Sequence, residues 1–79
     1  MLSAYMFYWR IKKRLGTILK RKRMEVGISQ ENISLATSID RMGVSSIENG
    51  KVNPTLLTLL KLCGALHIKL WKALREINV

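Results

Sequence analysis

The chain has little of several residue types: among its 79 residues are 1 cysteine, 1 histidine, 1 proline and only 5 Asp+Glu. Cys63 has no partner for an internal disulfide, so nothing points to secretion and a reduced, cytoplasmic setting is expected. His67 has neither a second histidine nor a paired cysteine, so no metal site is expected. The scarcity of proline, with 5 glycines, fits a folded unit and not a disordered linker. No apolar run is long enough to span a membrane, since Met1–Trp9 has about half the necessary length. Nor does that run read as a secretory signal, because positive charge follows it and does not precede it. Repeats, low-complexity tracts and alternating strand patterns are absent. So are a nucleophile–base pair and a phosphate-binding glycine loop, which leaves no basis for an enzyme, a cofactor or a small-molecule substrate.

Positive charge is what the chain has in excess. Against the few acids stand 14 Lys+Arg, a net charge of +9. So much charge of one sign repels itself in a folded chain and usually answers an anionic partner, nucleic acid or an anionic membrane. A solvated basic face without a partner is the plainer alternative. Much of the charge lies early, in Arg10, Lys12, Lys13, Arg14, Lys20, Arg21, Lys22 and Arg23. A hydrophobic content of 48% fits one small domain whose core is barely sufficient.

Hydrophobic spacing predicts an all-α bundle of five short helices. Leu15 to about Val26 reads as the first, with Leu15, Ile18, Leu19 and Val26 on one face and Gly27 as its stop. Residues 1–14 either lengthen this helix or form an aromatic, basic arm, ahead of a domain spanning 15–79. Ser29 is a good N-cap for a second helix, with Asn32 as a weak capping-box partner. Ile33, Ala36 and Ile39 mark its buried side, and Thr37-Ser38 ends it. Asp40 caps a third helix in which Val44 and Ile47 face inward, and Gly50 closes it. Pro54-Thr55 suits the entry of a fourth helix, striped by Leu56, Leu59, Leu60, Cys63 and Leu66. A last helix runs from about Lys69, with Leu70, Trp71, Leu74 and Ile77.

The stretch Ser29–Gly50 thus reads as two short helices joined by a tight polar turn, a pair of the size that places its second member in a DNA major groove. Leu15-Gly16, Arg23, Gly27-Ile28-Ser29-Gln30-Glu31, Ile33, Ile39, Val44-Ser45, Ile47-Glu48-Asn49-Gly50, Asn53-Pro54 and Leu66 fall without gaps on the pattern of the Cro/repressor-type (XRE-like) helix-turn-helix domain. The resemblance covers roughly Leu15 to Leu74. Ser38-Ile39-Asp40-Arg41 and Val44-Ser45-x-Ile47-Glu48 look most like the small controller proteins of restriction–modification systems. Where controllers often carry Thr-Tyr, this chain has Met42-Gly43, so its base preference should differ. Ser34, Thr37 and Lys22 replace residues commonly Ala, Leu and Leu, which should loosen the core slightly.

The resemblance implies a lambda-repressor-like fold and a dimeric transcription regulator on a palindromic DNA operator, with RNA polymerase as a further candidate contact. Phage or prophage repressor and antitoxin of a toxin–antitoxin pair are the nearest alternatives. A protein- or membrane-interaction module built on the aromatic segment Tyr5–Trp9 is an alternative of another class. Gln30, at the start of the second helix, is expected to meet a DNA phosphate and brace the reading helix, or simply to cap. Arg41, Met42, Ser45, Ser46 and Asn49 lie outward on the third helix. Arg41 is the candidate for reading guanine, against a phosphate contact or a surface ion pair. Met42 suits a thymine methyl or solvent; Ser46 and Asn49 suit bases, phosphates or water. Lys51 is placed for phosphate, and Lys20–Lys22 near the DNA backbone. The resemblance makes Arg23 and Glu48 an internal pair. It also places Leu70, Trp71, Leu74 and Ile77 at a two-fold interface, with packing inside one chain as the alternative.

Overall fold

A computed structural model describes residues 2–78. It has five helices: α1 Leu2–Glu25, α2 Gln30–Thr37, α3 Arg41–Glu48, α4 Leu56–Ala65 and α5 Leu70–Ile77, and no strand among the described residues. α1 packs on α3 and α5, α2 on α3 and α4, and α4 on α5. Leu15, Ile18, Leu19, Ile33, Val44, Ile47, Leu59, Leu62, Cys63, Leu66, Ala73 and Ile77 form one core. Burial raises the pKa of the Cys63 thiol, which keeps it protonated and inert.

Residues 2–14 belong to α1 and do not form a separate arm. Nothing before Gly16 breaks a helix, and Ile11 continues the apolar face of Leu15 and Ile18 onto the core. Val26 departs from expectation, being exposed beyond the last helical residue. The buried face ends one turn earlier, at Arg23. Gly27, at φ 76°, then turns the chain, with the Gly27 and Ile28 N–H groups donating to the Met24 and Arg23 carbonyls at 3.1 and 3.2 Å.

In α2 the buried position after Ile33 is Thr37, and Ala36 faces solvent. A threonine is affordable there because its hydroxyl donates to the Ile33 carbonyl at 2.7 Å and accepts from the Ile39 N–H at 3.3 Å. The Ser34 hydroxyl donates to the Ile39 carbonyl across the same turn. Ser34 and Thr37 therefore tie the α2–α3 turn together and do not loosen it. The Ser29 cap is present, but its bond comes from the backbone N–H of Asn32 at 3.0 Å.

α4 is apolar nearly all round, so periodicity alone selects its face poorly. Leu59, Leu62, Cys63 and Leu66 are buried, whereas Leu56 and Leu60 of the expected stripe are exposed. α5 buries Ala73 and Ile77, leaves Leu70 partly covered, and exposes Trp71 and Leu74. Ile77 is thus core of the single chain, and its assignment to an interface with a second copy is corrected. The α1–α5 contact is fastened by the Arg14 guanidinium donating to the Ile77 carbonyl at 2.8 Å and by Arg21 and Lys22 paired with Glu76. The hydrogen bond from Arg21, helped by Lys22, holds the Glu76 carboxyl below the usual range.

Candidate nucleic-acid interface

α3 is only eight residues long, too short to persist alone, and it is secured at each end. At its start the Asp40 carboxylate accepts the Met42 N–H at 3.1 Å. In its middle Val44 and Ile47 enter the core. At its end the N–H groups of Gly50 and Lys51 donate to the Ile47 and Ser46 carbonyls at 3.0 and 2.9 Å, with Gly50 at φ 69°. α1 crosses this end closely. A methyl group on Gly16 would lie within 2.6 Å of the Glu48 carbonyl oxygen, so glycine is required there.

A buried ion pair locks the crossing. Arg23 Nε and Nη2 donate to the Glu48 carboxylate at 2.6 and 3.1 Å, and Arg23 Nη1 donates to the Ile28 carbonyl at 2.8 Å. Gln30 Nε2 adds a bond to Glu48 at 3.0 Å. Arg23 and Glu48 are 9% and 7% exposed, so neither charge would keep enough water if the other were removed. One carboxylate thereby connects α1, the start of α2 and α3.

Gln30 uses one amide hydrogen on Glu48, and the second remains for an outside acceptor. Beside it, Arg41, Met42 and Ser45 line a shallow depression of about 180 Å³ together with Gln30. Arg41, Met42 and Asn49 are exposed, Ser45 and Ser46 are half-buried, and Asn49 Nδ2 donates to the Ser45 hydroxyl at 3.3 Å. Lys51 is exposed in the loop after α3. Four of the expected positions, Gln30, Arg41, Met42 and Ser45, thus line one depression, Asn49 is joined to it through Ser45, and the Ser46 carbonyl accepts the Lys51 N–H. At Gly43 a methyl group would meet only Ile39 Cγ2, at an ordinary 3.5 Å, so no close approach inside the chain calls for glycine.

Lys13 braces the end of α3, a role that the sequence did not separate from those of its basic neighbours. Its ammonium donates to the Asn49 carbonyl at 2.9 Å, placing a cation on the C-terminal end of α3. Its backbone also packs on Gly50, where an added methyl would lie 2.8 Å from the Lys13 Cα. Arg14, Arg21 and Lys22 are likewise engaged within the chain, whereas the side chains of Arg10, Lys20, Arg41 and Lys51 form no ion pair or hydrogen bond among the described residues. Among the described residues no group of three His, Cys, Asp or Glu side chains could hold a metal ion.

A short helix braced from behind, with polar side chains in front and a tight turn before it, is the architecture that a helix-turn-helix family model matches over residues 19–70. The chain belongs to the helix-turn-helix family. It is 41% identical over 69 residues to the control protein C.MunI of a Mycoplasma species, covering 86% of this chain and 93% of that one. It is 35% identical over 58 residues to the HTH-type transcriptional regulator y4dJ of Sinorhizobium fredii, covering 73% of this chain and 75% of the relative. In three dimensions it is similar to the restriction-modification controller protein C.AhdI of Aeromonas hydrophila, at 33% identity and a TM-score of 0.75, over 77% of this chain and 92% of that structure.

Proposed function

We propose that this helix-turn-helix protein is a sequence-specific DNA-binding transcription regulator, the controller of a restriction–modification operon, acting as a homodimer on a palindromic operator. The observation that carries the reading is the division of α3 into braced and free halves. Val44, Ile47 and Glu48 hold it to α1 and the core, while Arg41, Met42, Ser45 and Asn49 are left outward beside Gln30. Such a helix can lie in a major groove, its side chains on base edges, with the Gln30 N–H and Lys51 on flanking phosphates. The likeness to two controllers, each spanned almost completely by this chain, supports the subtype.

For the dimer, the exposed part of α5 is the proposed surface, with Trp71 as its anchor beside Leu70 and Leu74. Trp71 is 57% exposed and Leu74 43%, more apolar area than a single chain has reason to leave open. The test is a footprint on the DNA upstream of the chain's own operon. A protected pair of half-sites about one helical turn apart is expected. Binding no tighter than to scrambled duplex at physiological salt would refute specific regulation.

A further inference from the structure

We infer that the free end of α1, Ala4–Arg10, is an interfacial anchor that seats on the surface of an anionic lipid bilayer. Every residue from Ala4 to Arg10 is exposed, and this end of the helix meets the bundle only where Phe7 and Arg10 border a cleft with Asn78. Tyr5, Met6, Phe7, Tyr8 and Trp9 are 71%, 59%, 46%, 65% and 49% exposed. A helix that is apolar all round is ordinarily buried in protein or lipid. Here the apolar turns point away from the bundle, and their only recorded ring contacts are local: Phe7 edge-on to Tyr8 at 5.6 Å, and Lys13 over Trp9 at 5.2 Å.

Charge selects the occupant. Arg10, Lys12, Lys13 and Arg14 follow the aromatic turns directly, and α1 has no acidic residue before Glu25. A second copy laid on this end would bring the same cations against one another. Duplex DNA would welcome the cations but offers little to five large apolar side chains. An anionic bilayer satisfies both halves: tyrosine and tryptophan settle at the headgroup level, and Arg10 and Lys12, whose side chains are not engaged within the bundle as those of Lys13 and Arg14 are, meet lipid phosphates. The apolar turns reach roughly 10 Å at 1.5 Å per residue, enough to enter the headgroup boundary and too little to cross. No described helix is long and apolar enough to span a membrane. This inference does not depend on the proposed operator.

The experiment uses the full chain carrying Trp71→Phe, so that Trp9 is the sole tryptophan. Vesicles of phosphatidylcholine containing phosphatidylglycerol are expected to shift Trp9 emission to the blue, and brominated acyl chains to quench it; vesicles of phosphatidylcholine alone should do far less. In a flotation assay, Tyr5→Gln/Tyr8→Gln/Trp9→Gln should lower partitioning more than about tenfold, as three aromatic side chains no longer leave water. Its helix content and its affinity for duplex DNA should be unchanged. Unshifted, unquenched Trp9 on the anionic vesicles would overturn the anchor, as would a triple variant that floats as well as the parent. Self-association abolished by the triple variant, without vesicle binding, would assign this surface to a second copy instead.

Discussion

At the scale of single residues, the two faces of α3 have different chemistry and should answer differently to substitution. Arg41 stands free beside Gln30, Met42 and Ser45, so Arg41→Ala should relax preference at one base position, worth about 1–3 kcal/mol of discrimination. Lys51→Ala should instead weaken all sequences alike and make the salt dependence of binding shallower by about one unit. A footprint series over operator variants at two salt concentrations separates the two. Gly43 has no positive φ and room for a methyl group, so Gly43→Ala should raise stability by about 1 kcal/mol in urea unfolding. If the same variant binds DNA less well, the glycine serves close approach to the duplex. The ion pair is the opposite case. Glu48→Ala would leave the Arg23 charge buried and unanswered, costing about 3–5 kcal/mol of stability, while Arg23→Met with Glu48→Leu should cost less than either single loss.

At the scale of elements, what could be read in the sequence depended on how strongly each local signal was marked. α2 and α3 were legible because caps and turn residues bound them: Ser29, Asp40 and Gly50 each occupy the expected place. The burial of α4 differs in part from the expected stripe, because a helix with leucines at 56, 57, 59, 60 and 62 presents no single stripe to choose. Ala73 was overlooked because a small side chain gives little hydrophobic signal, although α5 buries it almost completely. Lys13 escaped for a different reason. Its role depends on where α1 crosses the end of α3, and in sequence it is one cation among many. The α1–α5 fastening allows a test by pH. Glu76, held below its usual range by Arg21 and Lys22, contributes stability above an unfolded pKa of about 4.3 and loses it as the pH falls through the lower folded value. The group is open to solvent, so the contribution is small and screened by salt. Thermal unfolding should show Glu76→Gln melting below the parent at neutral pH and level with it in strong acid.

At the scale of the molecule, the question is how two copies would meet. If the proposed dimer forms through α5, sedimentation of Trp71→Ala/Leu74→Ala should show a monomer under conditions where the parent self-associates, with affinity for DNA falling accordingly. Leu56, Leu57 and Leu60 of α4 are further exposed apolar residues that could meet a second copy. If Leu56→Ser/Leu60→Ser disrupts the dimer and the α5 variant does not, the interface lies on α4. The molecule measures 39 × 24 × 20 Å, and its long dimension matches the roughly 36 Å of a 24-residue helix. α1 thus forms the frame on which Gly16, Lys13 and Arg23 fix the reading helix.

That fixing has a consequence for how such a protein can change. Every attachment of α3 runs through Asp40, Val44, Ile47, Glu48 and Gly50, or through main-chain carbonyls that any residue supplies. None of them passes through the side chains of Arg41 or Met42, both of which are exposed. Those two positions can be exchanged, by drift or by a library, with the scaffold left intact, so if α3 reads DNA as proposed, a new sequence preference can arise without first finding a new way to fold.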